Sequence, residues 1–254
     1  TQAQQFIDGA SDHGIPEIVV QRMEDLCPLV RKIRALRVRN GSVEINTPEI
    51  EIKLNEQGKV EKMMPRSESK EAYQLVEECM LLANRAVAEI LIASEKPSIY
   101  RVHDEPDEEQ WASMGMELQA LGIPKLPQTR QEINEAIKLA EGTAVEYTAN
   151  LAILRSFKRA EYSATQIGHF GLAFDDYTHF TSPIRRYPDL LFHRMLKAVE
   201  LGKELPISNE QITEIAVHCN DTERKADGLE KQSTEKKRME YYNEILNTSG
   251  TTKF

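Results

Sequence analysis

The most constraining stretch of this sequence runs from Gly168 to Lys197 and reads GHFGLAFDDYTHFTSPIRRYPDLLFHRMLK. It contains Pro183 and Pro188, and each proline fixes its own φ and moves the residue before it away from the α region. The pattern therefore predicts a stiff, non-helical elbow over 181–187. After Pro188 the apolar residues recur at helical spacing, which predicts a helix with proline in its first turn.

Two adjacent arginines, Arg185 and Arg186, lie in the predicted elbow. A guanidinium is permanently charged and binds phosphate through paired hydrogen bonds, and a helix N-terminus adds partial positive charge. The elbow therefore predicts a phosphate-binding site. An ion-pair cap within the protein is the alternative for two adjacent arginines.

This stretch resembles the signature of the RNase II / RNase R family, whose catalytic domain is called RNB. The matching words are HFGLA at 169–173, YTHFTSPIRRYPDL at 177–190 and HR at 193–194. The resemblance implies a processive, magnesium-dependent hydrolytic exoribonuclease that degrades single-stranded RNA from its 3′ end and releases nucleoside 5′-monophosphates. It implies that Arg185 stabilises charge on the scissile phosphate, and that Arg186 binds a neighbouring phosphate or fixes the elbow.

Other words of the sequence resemble the same family, among them VEECMLLAN at 76–84 and TERKAD at 222–227. They imply that Glu77 and Glu230 hold the ribose of the 3′-terminal nucleotide. Further expected RNA contacts are Arg155, Lys158 and Tyr177. The residue pattern alone leaves alternatives open, since Glu77 with Asn84 is also typical of a solvated helix flank, and the basic residues of a solvated helix.

The hydrophobic periodicity predicts an α+β fold, with mainly long helices around a small, mostly antiparallel set of strands. We expect a helical segment over 1–40, a β-hairpin over 41–64, a helical body over 67–246 with strands near 98–103 and 169–174, and a tail over 247–254. Within the body, 144–162 is predicted as one helix. The best-defined helix carries an apolar stripe that is predicted to be its buried face: Ala72, Leu75, Val76, Cys79, Met80, Ala83, Ala86, Val87, Ile90 and Leu91.

Two single residues are expected to serve the scaffold. Trp111 lies at helical spacing with other apolar residues, so core packing is favoured over base stacking. His103 is expected to be a hydrogen-bonded structural residue, because a lone histidine is more often that than a catalyst.

Charge and cysteine content limit the classes of function. The net charge of −9 and the pI near 5.3 argue against a protein that coats nucleic acid by bulk electrostatics, so any RNA contact is local. No apolar run is long enough for a membrane span, and the N-terminus lacks the pattern of a signal peptide. The three widely spaced cysteines are expected to be reduced core residues of a cytoplasmic protein.

The resemblance also implies what this chain lacks. The family's aspartate-rich loop, which supplies its magnesium ligands, precedes the matching region, and an S1-type RNA-binding barrel follows it. We therefore expect the C-terminal portion of an RNB exoribonuclease catalytic domain over 1–254, with Mg²⁺ ligands outside this chain and no activity of the chain alone. The alternatives are a catalytically inactive protein that binds RNA 3′ ends, and a helical interaction domain that retains the scaffold.

Overall fold

The computed structural model describes residues 1–45, 47, 50–65, 70–205 and 207–249. Within them, helices dominate and the strands form two small antiparallel sheets, which confirms the predicted α+β class. The helices are α1 (Gln2–Ile7), α2 (Glu17–Arg39), α3 (Lys70–Ala93), α4 (Glu108–Ala120), α5 (Arg130–Ala140), α6 (Glu146–Arg155), α7 (Tyr187–Glu200) and α8 (Asn209–Ser249), with one 3-10 helix at Phe170–Leu172. The strands are β1 (Ile50–Leu54), β2 (Val60–Pro65), β3 (Tyr100–Val102) and β4 (Glu161–Ser163).

The chain divides into two units, the first comprising residues 1–47 and 69–219 and the second residues 48–68 and 220–254. Two apolar clusters form the core of the first unit. One joins α4, α5 and α6 and contains Trp111, Met114, Leu118, Ile123, Ile133, Ala136, Ala140, Ala149 and Ile153. The other joins α3, α7 and the start of α8 and contains Leu91, Ile99, Tyr162, Leu191, Phe192, Met195, Ile212, Ala216 and Cys219. The predicted core position of Trp111 is confirmed.

In the second unit, β1 and β2 form an antiparallel hairpin in which Ile52 pairs with Met63. The Asn55 side chain accepts hydrogen bonds from the backbone N–H groups of Gln57 and Lys59, each at 3.0 Å, and Gly58 supplies the positive φ of the turn. The hairpin is thus confirmed over 50–65. The described residues of 41–47, by contrast, lie outside any strand.

Two predicted elements have different bounds or a different type. The helix predicted over 144–162 ends at Arg155, where the Ser156 backbone N–H and hydroxyl both bond the Ala152 carbonyl. Beyond it Tyr162 pairs with Arg101, so 161–163 form strand β4 against β3. Helix α8 continues to Ser249, so 247–249 are helical rather than a tail, and 250–254 lie outside the described residues.

The strand predicted over 169–174 is also wrong. Phe170–Leu172 form a single 3-10 turn, because His169 Nδ1 accepts the Leu172 N–H at 3.3 Å and its backbone N–H bonds the Phe174 carbonyl at 2.8 Å. His103 supports this turn from below, since its Nδ1 accepts the Gly171 N–H at 3.1 Å. The structural role expected for His103 is confirmed.

Helix α3 buries a different face from the predicted one. Its buried residues include Glu78, Leu81, Asn84, Ala88 and Leu91. From the predicted stripe, Val76 and Ile90 are 54% and 51% exposed, and Cys79 is exposed rather than a core residue. Apolar residues lie on two faces of α3, so periodicity alone could not identify the face that packs against this chain.

Glu78, the charged residue on the buried face of α3, is neutralised by an ion pair. Arg37 of α2 donates through Nε to both carboxylate oxygens of Glu78, at 3.2 and 3.1 Å, and makes a further short contact through Nη2. The two side chains are only 9% and 2% exposed. A buried carboxylate of this kind is tolerated only with its partner in place.

We expect Arg37→Met to lower the free energy of unfolding by about 3–5 kcal/mol, because it leaves the Glu78 carboxylate buried without a counter-charge. Urea denaturation measures this loss. The matched variant Arg31→Met removes a pair with Glu71 in which both side chains are well exposed, and it should lower the stability far less. Equal losses in the two variants would contradict the assignment.

Candidate nucleic-acid interface

The elbow between Thr181 and Tyr187 is a tight turn, as predicted. The N–H groups of Arg185 and Arg186 both bond the Ser182 carbonyl, at 3.2 and 3.0 Å. Arg186 has an extended backbone, and α7 begins immediately after it with Pro188 in the first turn. The prolines therefore separate the turn from the helix as their fixed φ angles require.

Asp189, in the first turn of α7, anchors the elbow from inside the protein. Its side chain is 0% exposed, and Oδ1 accepts hydrogen bonds from the Ser182 N–H at 2.8 Å and from Arg186 Nη2 at 2.7 Å. Arg186 is itself only 20% exposed on its side chain. The structure thus favours the role in which Arg186 fixes the elbow, and a contact between Arg186 and RNA stays a prediction.

Arg185 lies at the exposed tip of the same turn, beside the fully exposed Ile184. Among the residues that the structure describes, the side chain of Arg185 has no hydrogen bond and no ion pair. The neighbouring arginines therefore differ in role. The Arg186 side chain is bonded to Asp189, whereas the guanidinium of Arg185 is free and faces solvent. A free guanidinium on a rigid turn is suited to binding an anion.

Two helices hold the segment that leads into the elbow. Asn84 of α3 accepts the Phe180 N–H at 3.0 Å and donates to the Tyr177 hydroxyl at 2.9 Å. His193 of α7 donates through Nε2 to the Phe180 carbonyl at 2.9 Å and stacks on the Phe180 ring at 4.0 Å between centroids. Both backbone groups of Phe180 are thus bonded to side chains, which fixes the chain two residues before Ser182.

Tyr177 lies in the interior, only 5% exposed, with its hydroxyl bonded to Asn84. Its ring contacts those of His169, Phe174 and His179. Tyr177 therefore has a packing role in this structure, and its expected contact with RNA stays a prediction. Asn84 is likewise buried and does not project into a cleft beside Glu77.

His169 and His179 are neutral in this interior. Burial, with a smaller contribution from the charge of Arg186, lowers the pKa of His179 to about 2. Burial also lowers the pKa of His169 to about 3. The Tyr162 hydroxyl lies 2.9 Å from His179 Nδ1, so the ring is hydrogen-bonded without being charged.

Glu77 lies on the exposed side of α3 at the edge of a cavity of about 400 Å³. Charged and amide side chains from several helices and from the segment after α2 line this cavity with it. They include Arg34, Arg37, Glu44, Gln74, Asn134 and Asn150. Glu77 is therefore placed where a carboxylate can accept hydrogen bonds from the hydroxyl groups of a bound molecule.

Comparison with known proteins identifies the family. A model of the RNB domain matches residues 1–202. The chain belongs to the RNase II/R family of RNB proteins. Ribonuclease R from Thermotoga maritima is 39% identical over 229 residues, which cover 85% of this chain and 31% of that protein. Ribonuclease R from Escherichia coli K12 is 33% identical over 82% of this chain and 27% of that protein.

Solved structures share the fold of this chain. RNase R from Mycoplasma genitalium in complex with ribose methylated single-stranded RNA superposes with a TM-score of 0.86 at 26% identity, covering 94% of this chain and 39% of that one. The same protein in complex with double-stranded RNA gives a TM-score of 0.88, covering 98% of this chain and 46% of that one. The chain thus spans 27–31% of the length of these two Ribonuclease R proteins.

The other residues expected to contact RNA are Arg155, Lys158 and Glu230. Arg155 is exposed at the end of α6. Lys158 forms an ion pair with Asp104 at 2.7 Å, and the lysine side chain is 33% exposed. Glu230 is exposed on α8, in the second unit. These three assignments remain predictions.

The carboxylates and histidines that the structure describes in this chain do not form a metal site by themselves. Within the ranges that the structure describes, no three His, Cys, Asp or Glu side chains converge as metal ligands. Those residues therefore do not fit a magnesium ion without further ligands. No helix in the same ranges combines the length and apolar character of a membrane span.

Two residues that organise the site, Asp189 and Asn84, were not predicted from the sequence to do so. Asp189 stands in the matched YPDL word without an expected role, and Asn84 was expected only as a cleft residue. One signal was present in the sequence, because Asp189 is the single carboxylate in a helical turn that is otherwise apolar. A carboxylate at such a position requires internal partners, and Ser182 and Arg186 supply them.

We expect Asp189→Asn to lower the free energy of unfolding by about 3 kcal/mol, because Arg186 is left half-buried without its counter-charge. The loosened elbow should also be cut faster by trypsin at the Arg185–Arg186 bond. Timed digestion with mass spectrometry measures this. The variant Asp175→Asn changes an exposed carboxylate and should leave the cleavage rate unchanged, so equal acceleration in both would contradict the anchor role.

The neutral histidines predict a pH dependence of stability. Because the pKa of His179 is about 2 in the folded protein, the unfolded chain binds more protons below the ordinary histidine pKa near 6.5, and stability falls as the pH falls. Between pH 6.5 and 4.5 this one group should cost about 2–3 kcal/mol. Urea titrations at both pH values should show that loss reduced by a similar amount in His179→Gln. An undiminished loss in the variant would show that His179 is not its source.

Proposed function

We propose that this chain supplies the phosphate-binding and 3′-end-binding side of a hydrolytic 3′→5′ exoribonuclease that acts on single-stranded RNA and releases nucleoside 5′-monophosphates. The single observation that carries the proposal is the free guanidinium of Arg185 on an elbow that Asp189 locks from inside. Family membership supports it, because the RNB domain model matches residues 1–202, which include this elbow, and proteins named Ribonuclease R match 82–85% of the chain.

In this proposal Arg185 stabilises negative charge that develops on the scissile phosphate. A donor that is already in place when the charge forms requires no reorganisation, which is where such donors contribute most. The turn provides this condition, since the Ser182 carbonyl and the Asp189 carboxylate fix the backbone on both sides of Arg185. Arg186 contributes indirectly by holding Asp189.

Glu77 is proposed to hold the 3′-terminal ribose, with Glu230 as a second carboxylate and Arg155 and Lys158 along the RNA backbone. The cavity beside Glu77 supports this role, because its volume and its mixture of carboxylates, amides and guanidiniums suit a hydroxylated ligand. Recognition of the 2′-hydroxyl would distinguish RNA from DNA at this position. RNase R of Mycoplasma genitalium has been solved with single-stranded RNA, which is compatible with the same class of substrate here.

Magnesium belongs to the proposal only for the intact enzyme, with ligands from outside this chain. The described residues do not hold it, so the contribution of this chain is confined to binding and orienting the phosphate and the ribose. Cytoplasmic location is also proposed, because the three cysteines are free, as is usual in a reducing compartment.

A chimera tests the function, in which this chain replaces the matching segment of Thermotoga maritima Ribonuclease R. With magnesium and a 5′-labelled single-stranded RNA, Arg185→Ala should reduce turnover by about 100-fold or more. RNA affinity, measured by fluorescence anisotropy, should change far less, because the contact is made chiefly in the transition state. Unchanged turnover would refute the role of Arg185.

Two controls sharpen this experiment. Arg185→Lys retains the charge but not the planar fork, so its turnover should lie between those of the parent and Arg185→Ala. Arg22→Ala removes an exposed arginine of α2 and should leave turnover unchanged. A chimera that binds RNA 3′ ends without cleaving them would instead favour a catalytically inactive binding protein.

A further inference from the structure

The Asn84 side chain of α3 joins that helix to the segment before the elbow. Its Oδ1 accepts the Phe180 N–H at 3.0 Å, and its Nδ2 donates to the Tyr177 hydroxyl at 2.9 Å. Asn84 is only 3% exposed, so water cannot replace either partner unless the interior opens. Two directional bonds from one planar amide therefore fix where the Phe180 backbone lies relative to α3.

Helix α3 also carries Glu77, the carboxylate proposed to hold the 3′-terminal ribose. Glu77 lies seven residues before Asn84, which is close to two full helical turns, so the two residues share one side of α3 about 10 Å apart along its axis. Between them in the sequence, Glu78 anchors the helix through its buried pair with Arg37 of α2. Since a hydrogen-bonded helix does not stretch, a shift of Asn84 relative to its surroundings also shifts Glu77.

The other end of this connection is the elbow. Phe180 precedes Ser182 by two residues, and the Ser182 N–H is bonded to Asp189 Oδ1 at 2.8 Å. The Ser182 carbonyl in turn accepts the Arg185 N–H at 3.2 Å. A continuous series of hydrogen bonds and short chain segments thus leads from Asn84 to Arg185. Apolar contacts also join α3 to α7, but they are non-directional and do not set a separation of this kind.

We propose that Asn84 is a positioning residue, which couples binding of the 3′-terminal ribose at Glu77 to placement of the scissile phosphate at Arg185. The ribose and that phosphate belong to the same nucleotide, so both contacts form together only when Glu77 and Arg185 are held at a matching separation. The inference rests on the function proposed above. It adds to that function a buried residue that touches neither the ribose nor the phosphate.

The test measures a ribose preference in the chimera with Thermotoga maritima Ribonuclease R. Two 5′-labelled single-stranded RNAs are compared that differ only in the 3′-terminal sugar, which is ribose in one and 2′-deoxyribose in the other. The ribose preference is the ratio of their kcat/KM values for removal of that nucleotide, and it should be about tenfold or more in the parent chimera. Misfolded protein lowers both rates equally, so the ratio separates positioning from stability.

Asn84→Ala should lower the ribose preference to below about threefold, because a ribose bound at Glu77 then no longer aligns the phosphate. Asn84→Asp keeps an acceptor for the Phe180 N–H and should retain most of the preference, even though a buried carboxylate lowers the stability. Ser94→Ala is the matched control, since it removes a hydrogen bond to the Leu91 carbonyl at the far end of α3, away from the elbow. It should leave the preference unchanged.

A double variant tests whether Asn84 acts through Glu77. Glu77→Ala should itself lower the ribose preference, because it removes the carboxylate that binds the sugar. Adding Asn84→Ala to Glu77→Ala should lower the preference little further, since the effects of residues that act as a unit are not additive.

Three results would overturn the inference. The first is an unchanged ribose preference in Asn84→Ala, although Glu77→Ala lowers it and Arg185→Ala reduces turnover; the function proposed above would then stand without the coupling. The second is an equal loss of preference in Asn84→Asp, which would show that the bond to Phe180 is not the cause. The third is a double variant whose two effects are fully additive.

Two further provisions keep these outcomes distinct. If Asn84→Ala yields no folded chimera, Asn84→Ser takes its place under the same three outcomes, because its shorter side chain leaves the Phe180 N–H without an acceptor. Unchanged turnover in Arg185→Ala would instead refute the function proposed above, and the coupling with it.

Discussion

One buried carboxylate, that of Asp189, sets the geometry on which the rest of the candidate site depends. It binds the backbone of Ser182 and the guanidinium of Arg186, and so fixes both ends of the turn that carries Arg185. Arg185 and Arg186 have the same side chain but different environments. Arg186 is bonded to the buried Asp189, and Arg185 is exposed to solvent. A carboxylate with no access to water has to be matched inside the protein, and Arg186 provides that match.

The same logic explains why Phe180 is held from two sides. Its segment belongs to neither of the two sheets in the described chain, so no ladder satisfies its N–H and C=O groups. Asn84 and His193 take the place of neighbouring strands. Buried backbone groups need partners of some kind, and here side chains from α3 and α7 supply them.

Local chemistry was predicted well from the sequence, and long-range pairing was not. The prolines at 183 and 188 specify the elbow through their own φ angles, and Asn55 with Gly58 specifies the hairpin turn, so both were predictable. Glu161 and Tyr162 were predicted to be helical from the sequence. Only their pairing with β3, which is distant in the chain, makes them a strand. The buried face of α3 and the roles of Asp189 and Asn84 likewise depend on residues far away in the chain, which no window of sequence contains.

The elbow also has a consequence for the entropy of folding and binding. Two prolines within a short loop restrict the unfolded chain, so less conformational freedom is lost when the loop becomes ordered. Once the turn is folded, its backbone needs no further ordering when an anion binds. Only the side chain of Arg185 then loses conformational freedom. The rigidity of this surface loop therefore comes largely from the rings of its two prolines, which restrict the backbone even before the loop contacts the core.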